Sequence, residues 1–224
     1  MRKRIKLSQR QLPPYTKGEE IMNMVTHISG GALAIAVLVL CVIRAAHTGA
    51  ALAVTGCAIY GSSMVALYAV SSIYHGLPHG TAKKVMQVID HCTIYFLIVG
   101  TYTAVLTCVL IPTYPSLGWT VLGIQWGFAI LATTLNAIDL DKYSVLSMIL
   151  YICMGWGIAP FLGLIYDSMT PGGFWLLLCG GIAYTLGAVL YGIGNKRPWF
   201  HSVFHIFVVA GSVLQFFAIF FYAL

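Results

Sequence analysis

Charged side chains are scarce in this sequence. Asp, Glu, Lys and Arg together make up 8% of the 224 residues, whereas hydrophobic residues make up 59%. A soluble domain carries about 25% charged residues, so this chain lacks the polar surface that a folded protein needs in water. The composition therefore excludes a soluble enzyme or binding module and indicates one compact bundle of helices in a membrane.

Cysteine motifs are absent as well. The six cysteines all fall in or beside apolar stretches, and no Cys-x-x-Cys pair occurs. Free cysteine behaves as a small hydrophobic residue in protein interiors. We therefore expect neither a disulfide framework nor a thiolate metal site.

Acidic residues are outnumbered, with 6 Asp and Glu against 12 Lys and Arg, and the net charge is +6. A basic protein can bind nucleic acid, but here the basic residues sit at the N-terminus and in short loops. That placement suits anionic lipid headgroups and membrane topology better. We expect membrane lipids as partners and no nucleic acid, and the sequence indicates no particular oligomeric state.

Seven apolar stretches are long enough to cross a membrane, which takes about 20 residues. The first is too long for the core of a signal peptide and predicts a spanning helix instead. The predicted fold is an all-α seven-helix membrane bundle, with a basic cytoplasmic segment at residues 1–20 and a single transmembrane domain at 21–224. The predicted spans are 24–43, 50–75, 85–111, 118–137, 143–164, 174–194 and 201–222.

Lys and Arg residues in short loops orient such a bundle, because they favour the cytoplasmic side. With a cytoplasmic N-terminus and an outside C-terminus, only Arg44 of the 12 basic residues falls outside. Six or eight spans would mix the charges. We therefore predict a multi-pass protein of the cell membrane, whose cytoplasmic basic residues are Arg2, Lys3, Arg4, Lys6, Arg10, Lys17, Lys83, Lys84, Lys142, Lys196 and Arg197.

Ionisable residues inside a membrane are costly, so their positions indicate function. Here they fall in four places, all at the cytoplasmic end of a predicted helix. This agreement is independent of the topology argument, which uses only Lys and Arg. The places hold Glu20, Asn23 and His27 at the start of the first helix, Ser71 and His75 at the end of the second, Asp90 and His91 at the start of the third, and His201 and His205 at the start of the seventh.

His201 and His205 lie one helical turn apart and can bind one metal ion, and His75 can add a third nitrogen ligand. Three protein ligands with an open position are typical of catalytic zinc, although imidazole also suits Fe, Cu or Ni. Asp90 would then act as general base on a metal-bound water, and Ser71 would steady the water or an oxyanion. The simpler alternative for a histidine pair alone is hydrogen bonding between helices.

Two interpretations remain for Glu20, Asn23 and His27, which share one face of the first helix. They can cap the helix and anchor it at the interface. Alternatively, they can support the metal ligands or gate the cytoplasmic mouth. His91 points about 100° away from Asp90 around the helix, so we expect a hydrogen bonder rather than a ligand.

Together these motifs resemble the hemolysin III family, the bacterial arm of the PAQR group that also contains the adiponectin and progestin receptors. The similarity runs in order from about Gly18 to the C-terminus. Two positions depart from the pattern, because the proline usual after Thr103 is Ala104 here and a histidine common in the last helix is Gln215. The motifs are Glu20-x-x-Asn23-x-x-Thr26-His27, Ser71-x-x-x-His75, Asp90-His91, Gly100-Thr101-Tyr102-Thr103 and Pro198-x-x-His201-x-x-x-His205.

The resemblance implies a zinc-dependent intramembrane hydrolase. It assigns His75, His201 and His205 as ligands, Asp90 to the water, and Ser71 beside it. Some receptor members of the group are thought to hydrolyse ceramide amides. Bacterial members are linked to membrane lipid homeostasis, and the family name records a pore-forming, cytolytic activity.

Three functions are compatible with this pattern. The first is a zinc hydrolase that acts on an amide or ester of a lipid entering from the bilayer. The second is a zinc-stabilised membrane sensor or receptor-like regulator, and the third is a channel or cytolysin. Asp90 and Ser71 favour the hydrolase, since a closed structural site needs neither. The outer half offers no charge-lined path, which argues against a channel.

The predicted topology can be tested with reporter fusions at both ends of the chain. The charge distribution predicts an active cytoplasmic reporter at the N-terminus and an active outside reporter at the C-terminus. Two ends on the same side would contradict the orientation and the odd number of spans together.

Overall fold

The computed structural model describes residues 7–194 and 197–224, and these residues contain helices and no strand. Arg2, Lys3, Arg4, Lys6 and Lys196, which enter the topology argument, lie outside the described residues. Among the described residues, seven helices are long and apolar enough to span a membrane, as predicted. They are α1 (Lys17–His47), α2 (Ala51–Gly76), α3 (Thr81–Thr113), α4 (Pro115–Asp139), α5 (Ser144–Ser168), α6 (Pro171–Gly194) and α7 (Phe200–Ala223).

All seven of these helices extend beyond the predicted spans at one end or both, and two of the extensions change the setting of residues named above. α1 continues to His47, so Arg44 is helical and its guanidinium lies 4.9 Å from the centre of the Phe220 ring. α3 begins at Thr81, so Asp90 lies in its third turn rather than at its start. Hydropathy identifies only the apolar part of a helix, so the predicted span did not include the polar first turn of α3.

The start of α1 is fixed by a capping box. The Thr16 side chain accepts a hydrogen bond from the Glu19 backbone N–H at 3.3 Å, and Glu19 Oε2 accepts one from the Thr16 N–H at 2.9 Å. These bonds satisfy N–H groups that have no partner within the helix. Helix α1 therefore begins at Lys17, four residues before the predicted domain boundary.

Helix α5 is interrupted around Pro160. Its first α-helical part ends at Gly155, a 3-10 turn covers Ala159–Phe161, and α-helix resumes at Leu162. Proline cannot donate a backbone hydrogen bond and collides with the preceding turn, which explains the break. Inside a membrane the freed backbone groups need partners.

Neighbouring helices supply those partners. Tyr102 of α3 donates to the Gly155 carbonyl at 3.1 Å and accepts from the Ile158 N–H at 2.8 Å. Gln125 of α4 donates to the Met154 carbonyl at 3.0 Å. The interruption in α5 is therefore held by polar side chains of the bundle interior.

Helix α3 is buried over most of its length, whereas few residues of α5 and α6 are buried. The exposed residues include many large apolar side chains, which suit a surface that faces lipid. The proposed site residues lie on α1, α2, α3 and α7, at the end of the bundle where α2 ends and the other three begin.

Close packing of α1 against α2 depends on Gly61. A Cβ at this position would lie 2.5 Å from Leu38 Cα and 2.6 Å from its Cβ, so the helices would have to separate. Small residues at such crossings let membrane helices approach closely.

We expect Gly61→Ala to lower the thermal unfolding temperature of the purified protein, because overpacking costs about 1–3 kcal/mol. The matched control is Gly123→Ala, since a Cβ there meets nothing within 4 Å. Equal unfolding temperatures for the two variants would contradict this packing.

Candidate metal centre

Three buried histidines converge at one end of the bundle. His75 lies in the last turn of α2, and His201 and His205 lie in the first two turns of α7. Nε2 of His201 lies 3.3 Å from Nε2 of His75 and 3.0 Å from Nε2 of His205. Within residues 7–194 and 197–224, this is the one group of three or more His, Cys, Asp or Glu whose ligand atoms could hold one metal ion.

The spacing of the three nitrogens fits a metal ion. Nitrogen ligands at 2.0–2.1 Å in tetrahedral geometry lie about 3.3–3.4 Å from one another. The observed separations of 3.0 and 3.3 Å are close to that value. Imidazole nitrogen suits Zn²⁺ and other transition metals rather than Mg²⁺ or Ca²⁺, which prefer oxygen.

Two of the three rings are oriented by hydrogen bonds from their other nitrogen. Nδ1 of His75 lies 2.7 Å from Glu20 Oε2, and Nδ1 of His205 lies 3.3 Å from the Asn23 backbone carbonyl. An ionised carboxylate and a carbonyl can only accept, so Nδ1 carries the proton in both rings. The Nε2 lone pairs are then free to face a metal, which is the usual arrangement behind a ligating histidine.

Asn23 also joins α1 to α7 through its side chain. Its Oδ1 accepts a hydrogen bond from the Ser202 hydroxyl at 2.6 Å, and Nδ2 lies 3.5 Å from His75 Nδ1. Asn23 is fully buried, so the Ser202 hydrogen bond satisfies an amide oxygen that would otherwise be costly in the membrane.

His27 takes a different place from Glu20 and Asn23. Its ring stacks on His205, with centroids 3.7 Å apart and planes inclined by 18°, and it meets Tyr68 edge-on at 5.0 Å. Neither of its ring nitrogens has a hydrogen-bond partner among the described residues. His27 thus packs against a proposed ligand and contributes to the wall of a cavity.

Asp90 and Ser71 lie beside the histidine cluster. Asp90 is 8% exposed and Ser71 is 1% exposed, and both line the same cavity as His201 and His205. The Asp90 carboxylate interacts with Ser71 and His75, yet it is not one of the grouped ligand atoms. His91 donates from Nδ1 to the Gln87 carbonyl at 2.9 Å, consistent with the expected hydrogen-bonding role.

The cavity next to these residues has a volume of about 140 Å³. It runs along α3, α5, α6 and α7 as far as Gln215, which lies about 20 Å farther along α7 than His201. Apolar and aromatic side chains form most of its wall, including Leu67, Ile94 and Trp156. Such a space accepts an apolar ligand whose polar group lies at the histidine end.

Other residues at the site are not evident from the histidine pattern. The Tyr15 ring stacks on His201 at 4.9 Å with planes inclined by 13°, and burial raises the pKa of its hydroxyl. Glu19 Oε1 accepts from the Trp199 N–H at 2.7 Å, which holds the left-handed turn (φ 68°) before α7. The Thr16-x-x-Glu19 spacing is that of a capping box and could have identified Glu19. No local pattern identifies Tyr15.

Comparisons with known proteins agree with this architecture. The family model described as "Haemolysin-III related" matches residues 15–216. Hemolysin-3 of Bacillus cereus is 39% identical over 206 residues, which cover 92% of each chain. The Hemolysin-3 homolog of Bacillus subtilis (strain 168) is 38% identical over 208 residues, covering 93% of this chain and 96% of that protein.

A more distant relative comes from animals. The human monocyte to macrophage differentiation factor is 29% identical over 170 residues, covering 72% of this chain and 67% of that protein. No solved structure matches the chain. The family match includes every residue of the candidate site.

The cluster predicts one bound transition-metal ion per chain. After loading with Zn²⁺, each of His75→Ala, His201→Ala and His205→Ala should lower metal affinity by more than about 100-fold, the upper range for loss of a supporting group alone. Elemental analysis after removal of free metal would measure this. His79→Ala, in the loop after α2, is the control and should keep its metal. Full occupancy in the His201→Ala/His205→Ala double variant would refute the site.

Proposed function

The chain belongs to the haemolysin III-related family of multi-pass membrane proteins, and from that premise we propose that it is a zinc-dependent hydrolase. His75, His201 and His205 would hold Zn²⁺, and the substrate would be a membrane lipid with an amide or ester bond that enters from the bilayer. Such an activity would serve membrane lipid homeostasis. The cytoplasmic N-terminus, the outside C-terminus and the single domain at 21–224 are part of the same proposal.

One observation carries the proposal. A carboxylate and a hydroxyl lie beside the three histidines without belonging to the ligand set, and both line one largely apolar cavity together with His201 and His205. A purely structural metal site needs no such acid–base pair. An apolar cavity within the bilayer suits the hydrocarbon part of a lipid.

The roles of the side chains follow from their positions. When bound, Zn²⁺ would lower the pKa of water to about 7 and polarise a carbonyl group. Asp90 accepts the proton of the attacking water and returns it to the leaving group. Ser71 donates a hydrogen bond to the same water or to the oxygen that gains negative charge. The apolar wall holds the lipid tail and keeps bulk water out.

Two other functions remain as alternatives. The name of the relatives, Hemolysin-3, favours a cytolytic or pore-forming protein. The hydrogen bonds that His75 and His205 donate to Glu20 and Asn23 would equally suit a zinc-stabilised sensor without turnover. Against a pore, the Asp and His residues of the cavity wall are confined to one end of the cavity.

Asp90→Asn separates catalysis from structure. The variant should keep its zinc and its unfolding temperature but lose about 10²–10⁴ in rate, the usual worth of a positioned acid–base group. Ser71→Ala should lose less, because a water molecule can replace its hydroxyl. The assay is mass spectrometry of lipids in proteoliposomes, with zinc content measured in the same preparation.

The control is Asp167→Asn, an exposed carboxylate of α5 outside the cavity wall. It should match the wild type in zinc content and turnover. Zinc-loaded Asp90→Asn with full turnover would contradict the hydrolase mechanism. Wild-type protein that binds zinc and gains stability from it, but turns over no lipid, would favour the sensor.

A further inference from the structure

Lys83 is buried in the first turn of α3, with 2% of its surface exposed. Lysine is almost never buried this fully unless its ammonium group is paired. A basic residue in a loop helps to orient a membrane protein, and this role does not require the residue to be buried. Its partners therefore indicate a second role.

The Lys83 ammonium group closes the end of α2. Nζ donates to the carbonyl oxygens of Tyr74 at 3.0 Å, His75 at 3.3 Å and Leu77 at 3.0 Å. The last carbonyls of a helix have no partner within it, and an ammonium group there is also favoured by the helix dipole. One of the three carbonyls belongs to His75, the proposed metal ligand of α2.

The same ammonium group also holds the side chain that orients His75. Nζ lies 2.9 Å from Glu20 Oε1, while Glu20 Oε2 lies 2.7 Å from His75 Nδ1. The two oxygens of one carboxylate thus connect Lys83 to the imidazole ring. Lys83 contacts the backbone of His75 directly and its ring through Glu20.

We infer that Lys83 is a positioning residue of the metal centre, which acts through Glu20 on His75. Without the ammonium group, the Glu20 carboxylate could turn away from the His75 ring. The ring would then lose the bond that directs Nε2 toward His201 and His205. This inference rests on the proposed zinc site. It attributes the orientation of the His75 ring in part to a residue outside the histidine motifs.

A double-mutant cycle distinguishes positioning from simple capping of α2. The variants are Lys83→Met, which keeps the length of the side chain, Glu20→Gln, and the two combined. The affinity for Zn²⁺ is measured on the full chain in detergent by competition with a chelating dye. Lys142→Met, an exposed lysine of the loop after α4, is the matched control and should bind Zn²⁺ like the wild type.

Each single variant should lower the Zn²⁺ affinity about 10- to 100-fold, the usual effect of losing a group that supports a ligand. If Lys83 acts through Glu20, the double variant should bind Zn²⁺ no more weakly than Glu20→Gln alone. A lower unfolding temperature of metal-free Lys83→Met does not discriminate, because it follows from the lost cap in either case.

Unchanged affinity in Lys83→Met, or losses that multiply in the double variant, would overturn the inference and leave the proposed function standing. Wild-type protein that does not bind Zn²⁺ would overturn the proposed function and this inference with it. If Lys83→Met does not fold, Lys83→Gln replaces it in the cycle with the same criteria, since its amide still donates to the α2 carbonyls.

Discussion

Three imidazole nitrogens facing one another in a buried pocket are the constraint on which the rest of the structure depends. Where Nδ1 of His75 and His205 carries the proton, their Nε2 atoms offer lone pairs toward His201 Nε2, which lies 3.3 and 3.0 Å away, and either a metal cation or a proton on His201 can hold the three nitrogens this close. The rings come from α2 and α7, which are far apart in sequence. Their convergence therefore has to be held by other elements.

Helix α1 provides most of that support. Glu20 and Asn23 contact the two rings from one face of α1, and Asn23 also bonds Ser202 of α7. The capping box at Thr16 sets where α1 begins. Glu19 of this box also accepts a hydrogen bond from the Trp199 N–H, which fixes the start of α1 relative to the turn before α7. A shift of α1 by one turn would separate all of these pairs at once. The polar groups at this end of the bundle consequently act as one network, which a membrane interior favours because unpaired polar groups are costly there.

The sequence was sufficient for the number of helices and for placing His201 beside His205, because both depend on local spacing. A span requires about 20 apolar residues, and two histidines one turn apart must share a helix face. His75 was predicted to lie near this pair because all three histidines fall at the cytoplasmic ends of predicted helices. Hydropathy did not predict the start of α3, because the first turn of this helix is polar. Asp90 therefore lies farther from the start of its helix than expected.

Contacts between helices could not be predicted in the same way. His27 lies on the same face of α1 as Glu20 and Asn23, yet it stacks on His205 instead of bonding a ligand. The burial of Lys83 depends on how the end of α2 meets the start of α3, and that of Tyr15 on the path of the chain before α1. Rotation and crossing of helices decide these contacts, and the spacing of residues along one helix does not contain that information.

Zinc K-edge X-ray absorption on the wild-type protein tests whether the three histidines form the proposed zinc centre with a position left for water. We expect stoichiometric zinc with a first shell of nitrogen and oxygen at about 2.0–2.1 Å, scattering from imidazole rings, and no sulfur. A sulfur shell at about 2.3 Å, or the absence of stoichiometric zinc from protein loaded with the metal, would contradict it.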